Sequence, residues 1–153
     1  MKYLVLVATF LCCAVASAMP KVGDYVNLSL TLNNAPVGTL EEELIQFDSG
    51  KNQYLQQNTQ TLSGKRDVTQ TWTDGVSDAQ IAGIMSACAN YGGVIQNITE
   101  PAGAFVTCAL PVYSNGSVGT MWVGAVPFGV VKLDITNGGN HVIGDLAGFR
   151  LGQ

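Results

Sequence analysis

Ser77-Asp78-Ala79-Gln80-Ile81-Ala82-Gly83-Ile84-Met85-Ser86-Ala87-Cys88-Ala89-Asn90-Tyr91-Gly92-Gly93, followed by Val94-Ile95-Gln96-Asn97-Ile98-Thr99-Glu100-Pro101-Ala102-Gly103-Ala104-Phe105-Val106-Thr107-Cys108, is the stretch that decides the fold. In its first half Ile81, Ile84, Met85 and Cys88 fall at i, i+3, i+4 and i+7, which places them on one stripe of a helix. Ser77 and Gln80 have the spacing of a capping box, and Asp78 suits the positive end of the helix dipole. Gly92-Gly93 can take the left-handed conformation that ends a helix. The second half is rich in Val, Ile, Thr and Phe around the turn Pro101-Ala102-Gly103, which predicts strands near Val94–Thr99 and Ala104–Val112. Everything outside this stretch lacks the helical period, so a single helix is expected within a β-rich chain.

Working outward, the preceding residues predict strands near Tyr25–Leu32, Val37–Phe47, Gln53–Leu62 and Val68–Thr73. Their turns are Asn33-Asn34-Ala35-Pro36, Asp48–Asn52 and Ser63-Gly64-Lys65-Arg66. The following residues predict strands near Thr120–Val126, Phe128–Thr136 and His141–Leu151, with turns at Ser114–Ser117 and Asn137–Asn140. The expected fold class is α+β, mostly antiparallel β: about nine strands in a curved meander sheet, a half barrel, with one amphipathic helix packed on it. The strands differ in character. Gln56-Gln57-Asn58-Thr59-Gln60-Thr61 holds no apolar residue, so neither face there is expected in a conventional core. Phe105 to Ile135 places apolar groups on both faces; one would pack the helix, and the other would either line a concavity or be covered by protein.

Lys2, the apolar run Tyr3–Val15 and Ala16-Ser17-Ala18 form a secretory signal peptide, with small residues at the −3 and −1 positions of a cleavage after Ala18. The domain organisation is therefore residues 1–18 as signal and residues 19–153 as one β-rich domain. The competing reading is a retained anchor, but the run is shorter than the roughly 20 residues that span a bilayer. No transmembrane anchor is expected after cleavage, and the location is exported, periplasmic or extracellular. Cys12 and Cys13 leave with the signal, since Leu11 and Cys12 are poor residues to precede a lipidated cysteine. Cys88 and Cys108 then remain in an oxidising compartment, and a disulfide between them would staple the helix to a later strand. Closing that loop stabilises by about 3 kcal/mol on the chain-entropy model.

The composition excludes several functions. Seven Lys and Arg against eleven Asp and Glu, a formal charge of −4, cannot supply the basic stripe that nucleic acid requires. Losing Lys2 with the signal takes the charge from −4 to −5. Only 12% of residues are charged and 47% are hydrophobic, which excludes disorder. His141 is the only histidine and there is no Cys-x-x-Cys, so no metal site, no cofactor and no catalytic residue is assigned. His141 lies near Asp134 and Asp145, yet no Gly-x-Ser-x-Gly elbow accompanies it. Glu41 and Glu43 share one strand face about 6–7 Å apart, within reach of hydrolase spacing, but such a run is expected as a solvated sheet edge. Asn27-Leu28-Ser29, Asn97-Ile98-Thr99 and Asn115-Gly116-Ser117 match the glycosylation sequon, a short pattern expected by chance in a chain rich in Asn, Ser and Thr.

Ile98-Thr99-Glu100-Pro101-Ala102-Gly103-Ala104-Phe105-Val106-Thr107-Cys108, then Trp122 and Pro127-Phe128-Gly129-Val130-Val131-Lys132, resembles a pattern in exported bacterial proteins, mostly uncharacterised, in which a Pro-Ala-Gly-x-Phe turn leads through a Trp strand to a Gly-Val-Val-Lys strand. Their architecture is similar to the half-barrel carriers of the lipoprotein-localisation family, where a curved antiparallel sheet plugged by helices holds lipid acyl chains. The resemblance covers roughly residues 98 to 135, and a single helix is fewer than those carriers use. It implies a non-catalytic binding protein that holds an apolar or lipid-like ligand on the concave face, with Trp72, Phe105, Trp122 and Phe128 as ligand-binding candidates. The alternative is a structural or interaction module of the cell envelope, with an envelope protein as partner and the polar strands as its contact surface. An enzyme acting through Glu41, Glu43 or His141 is the third reading.

Overall fold

A computed structural model describes residues 19–114 and 116–153. The signal segment with Cys12 and Cys13, and Asn115 with its sequon, lie outside the described residues. The strands are β1 Tyr25–Leu32, β2 Ala35–Asp48, β3 Gln53–Leu62, β4 Lys65–Thr73, β5 Val94–Glu100, β6 Gly103–Ser114, β7 Ser117–Gly124, β8 Val130–Asn137 and β9 Asn140–Arg150. They form one open, curved antiparallel sheet in the order β4-β3-β2-β1-β9-β8-β7-β6-β5. The fold is the expected half barrel with one helix. Its meander is in two parts, β1 to β4 and β5 to β9, joined where β1 pairs with β9.

Three hairpins turn in two residues rather than four, which lengthens the strands beyond their expected ends. Asn33-Asn34, Ser63-Gly64 and Gly138-Gly139 all have positive φ at both positions, the geometry whose twist matches the flanking strands. Lys65 and Arg66, expected in a turn, therefore open β4. Phe128 departs in the other direction. It was expected to begin a strand but sits at φ 60 in the turn from β7 to β8, where the Gly129 N–H donates to Val126 O and the Gly124 N–H to Gly129 O. Those bonds close a tight turn around Pro127, and β8 begins only at Val130.

The helix, α1 Asp78–Ser86, starts as its capping box dictates: Ser77 Oγ accepts from the Gln80 N–H at 3.3 Å, and Gln80 Oε1 accepts from the Ser77 N–H at 2.8 Å. It ends earlier than the stripe implied. A 3-10 turn over Cys88–Tyr91 follows and closes on Gly92 at φ 73. Cys88 and Cys108 stand at disulfide distance, with Cα atoms 5.7 Å apart, and the bridge packs directly on Gly93. A Cβ on Gly93 would lie 2.8 Å from both sulfurs, so only glycine fits beneath the bridge.

The core begins on β1, whose Val26, Leu28 and Leu30 are buried in strict alternation with partly exposed Tyr25, Asn27 and Ser29. Leu146 of β9 lies opposite Leu28 and is fully buried, as is Val131 of β8. The polar ribbon is less solvated than its sequence implied: Tyr54 and Thr59 of β3 are buried. The Tyr54 hydroxyl donates to Pro20 O, and its ring meets Phe47 at 4.8 Å. Only β4 is open to solvent along nearly its whole length. Nor is the glutamate run a sheet edge. β2 lies between β1 and β3, Glu43 accepts from Arg150 at 2.7 Å, and Glu42 faces inward beside Val26.

The tip of the β5–β6 hairpin curls past the β7–β8 turn, and the Ala102 N–H donates to Leu146 O of β9 at 3.0 Å. This closure brings Glu100 to Lys132 at 3.2 Å, while Lys132 also meets Asp145 at 2.7 Å. Burial raises the Glu100 pKa against the pull of Lys132. Burial opposes the charge on Lys132 too, but hydrogen bonds to Asp145 and Glu100 outweigh it and raise its pKa.

Three stability changes follow from this packing. Leu146→Ala should cost about 3 kcal/mol in urea unfolding, while Tyr113→Ala, at 76% exposure, should stay within about 0.5 kcal/mol. Lys132→Met leaves the nearly buried Glu100 carboxylate without its cation and should cost about 2 kcal/mol at neutral pH, with Lys132→Met/Glu100→Gln recovering part of the loss. Burial also raises the pKa of Glu42 above the ordinary carboxylate value. The native state then holds that proton more tightly than the unfolded chain, so the Glu42 contribution falls as pH rises from the ordinary carboxylate value through the raised one. Glu42→Gln should therefore gain over the natural chain as pH is raised from about 4 to about 7, read as a growing difference in urea midpoint.

Candidate binding face

Cross-strand partners share a face of the sheet, which identifies the side on which α1 lies. Leu110 pairs with Met121, Met121 with Leu133, and Leu133 with Gly144; one step along, Cys108 pairs with Val123. The bridge from Cys88 to Cys108 puts the helix on this side, and Ile81 drops into the sheet beside Val123 and Gly129. Leu28 and Leu30 of β1 close over Gly144 and so belong to the same side.

The helix is a narrow cover for so wide a face. Within Asp78–Ser86 only Ile81 is buried, and Ile84 and Met85 of the apolar stripe are half-buried. A groove is left along each flank. The first, about 640 Å³, is lined by Ile81, Ala82, Met85 and Ala125 with Asp78 and Ser86 at its polar margin. The second, about 480 Å³, is lined by Ile84, Tyr91, Leu110, Pro111 and Met121, with no charged group. Both volumes are in the range of small-molecule sites, and both walls are predominantly apolar. What such a surface offers chemically is exclusion of water from an apolar chain or ring, with a carboxylate only at one margin.

The four aromatic candidates lie elsewhere. Trp122 neighbours Met121 in β7, so it points to the opposite face, where its Nε1 donates to Gln96 Oε1 at 2.9 Å and the Lys132 ammonium lies 6.0 Å from its ring. Phe105 pairs with Ile98, packs against the core around Val26, Leu28 and Leu146, and meets Phe149 edge-on at 6.1 Å. Phe128 packs against the core from the β7–β8 turn. Trp72 is on β4, at the far end of the sheet order, with Lys51 Nζ 5.3 Å from its ring. The structure does not bring the four together, and none lines either groove. Ile84 and Met85 carried a signal, since they belong to the helical stripe, but a stripe marks burial and not how incompletely it is achieved. Tyr91, Pro111 and Ala125 carried none.

The acid and base candidates are likewise dispersed. His141 Nε2 and Asp134 Oδ1 are 2.7 Å apart beside the Gly138-Gly139 turn, both more than a third exposed, and Asp145 is engaged by Lys132. Among the described residues no hydroxyl hydrogen-bonds to the His141 ring, and no group of three His, Cys, Asp or Glu side chains stands close enough to hold a metal ion. Among them, too, no helix is long and apolar enough to cross a membrane.

No family model and no curated protein sequence matches this chain. Its fold is similar to two solved structures. One is a protein from Bacteroides fragilis described as exported and of YmcC-like fold, 12% identical, with 86% of this chain and 98% of that one covered and a TM-score of 0.53. The other belongs to the MucA/MucB complex of Pseudomonas aeruginosa, 14% identical, with 86% of this chain covered and a TM-score of 0.53; this chain spans about half, 52%, of its length.

Proposed function

We propose that the protein is an exported, non-catalytic binding module that takes an apolar or lipid-like ligand into the grooves flanking α1. The observation that carries this reading is the mismatch between a wide apolar sheet face and a single short helix, which leaves apolar walls on both flanks. Export is supported by the leader sequence, by two cysteines at disulfide distance and by the exported description of the Bacteroides protein. A non-catalytic role is supported by the dispersal of the acid and base candidates, with His141 and Asp134 on an open hairpin end away from either groove.

A second reading, an interaction module of the cell envelope with a protein partner, is favoured by a different observation. Among the described residues β4 is exposed on both faces and has a neighbour on one side only. The likeness to one chain of the MucA/MucB complex supports it as well, because that fold occurs there within a protein assembly.

The ligand reading is tested with a fluorescent long-chain fatty acid on the purified mature protein, and with native mass spectrometry after gentle extraction. Saturable binding is expected, with retained lipid seen in the spectra. Ala125→Asp and Tyr91→Asp each place a charge in a groove from an exposed position and should weaken binding roughly tenfold or more without loss of fold. Absence of both saturable binding and retained lipid would overturn the reading in favour of the interaction module.

A further inference from the structure

The two edges of the open sheet are not alike. β5 begins at the 3-10 turn stapled by Cys88 and Cys108, and its other end curls onto β9 through Ala102. Among the described residues β4 has no such cover. Its nine residues pair with β3 in unbroken register from Lys65↔Leu62 to Thr73↔Tyr54, with no bulge, glycine or proline to spoil the outer edge. Eight of the nine are exposed, among them Val68 and Trp72. A regular strand whose outward N–H and C=O groups have no strand to meet is a template for another strand.

We propose that β4 pairs antiparallel with β4 of a second copy of this chain, making one continuous sheet across a two-fold axis at Thr69. The strand is self-complementary in that arrangement. A two-fold perpendicular to the sheet preserves its faces, so cross-strand partners share parity and the outward backbone groups of each copy meet those of the other. Centring on Thr69 uses all nine residues: Lys65 faces Thr73, Arg66 faces Trp72, Asp67 faces Thr71, and Val68 faces Gln70.

The charges decide the orientation. Lys65, Arg66 and Asp67 crowd one end of β4 and make no ion pair among the described residues, while Trp72 and Asp74 lie at the other end. An antiparallel pair carries the Arg66 guanidinium of each copy to the Trp72 ring of the other, with Asp74 diagonal to it on the same side. A parallel pair would stack Arg66 on Arg66 and Lys65 on Lys65. The same pairing covers Val68 and Trp72, the exposed apolar side chains of the strand. Edge charges that repel most strands thus admit this one. The inference is independent of the apolar grooves, which lie beside α1 on β6 and β7.

The test is sedimentation of the mature, oxidised protein through the micromolar range, with circular dichroism to verify the fold of each variant. A concentration-dependent monomer–dimer equilibrium is expected. Thr69→Lys sets two ammonium groups directly across the axis and should weaken dimerisation at least tenfold, while Thr69→Val should preserve it. Thr69→Cys should cross-link to dimer under mild oxidation faster than Val68→Cys, whose two copies are out of register. A protein that stays monomeric to high micromolar concentration overturns the proposal. So does a dimer indifferent to Thr69→Lys, or one that cross-links through Ile95→Cys on β5 in preference to Thr69→Cys.

Discussion

The pairing of β1 with β9 is the contact on which the rest of the sheet depends. Each meander by itself would be a four- or five-stranded ribbon with two raw edges; zipping Tyr25–Leu32 against Val142–Arg150 consumes one edge of each and fuses them. The seam is built from residues that could not serve elsewhere. Gly144 lies opposite Leu30 and has no side chain, which lets Leu28, Leu30 and Leu133 close over it from both neighbouring strands. The register shift between Asn27 and Leu28 adds local twist at the same place, and that twist bends the sheet toward a half barrel.

Once the seam is fixed, the last strand of the first meander and the first strand of the second are at opposite edges, and the chain between them must cross the whole sheet. Residues 74 to 93 make that crossing, and α1 is its middle. This explains why the only helix of the described residues falls between β4 and β5, and why its end is stapled: the Cys88–Cys108 bridge fixes the arriving chain at the edge where β5 must begin. A helix serving as a crossing has its length set by the span and not by the area it should cover. The open grooves beside it are a consequence of topology.

Much of this was legible in the sequence, and the exceptions have physical causes. Period and turn chemistry located all nine strands and the helix, because Ile81, Ile84, Met85 and Cys88 repeat at a helical spacing that no other segment shows. The β1–β9 seam was not legible: strand order between distant segments depends on register that adjacent hairpins do not encode. The two-residue turns at Asn33-Asn34 and Ser63-Gly64 were missed by a neighbouring proline in one case and a basic pair in the other, both of which look like turn residues and proved to be strand. The solvated-edge reading of Glu41–Glu43 failed for the same reason as the seam, since whether β2 is an edge is a question of order.

The aromatic residues show where composition misleads about function. Trp122 lies on the face away from the helix, bonded to Gln96, with Lys132 beside it between Glu100 and Asp145, whereas Phe105 packs against the same core that β1 and β9 build and meets Phe149 there, which anchors the curled β5–β6 hairpin. A hairpin whose tip curls back to β9 carries its apolar side chains into the core, so large side chains on it do not by themselves indicate a ligand. The residues that do line open apolar space include Ala82, Met85, Ala125, Leu110, Met121 and the aromatic Tyr91, because a groove is made by what is missing between a helix and a sheet. What locates the candidate site is the space that the helix leaves uncovered, not the size of the side chains beside it.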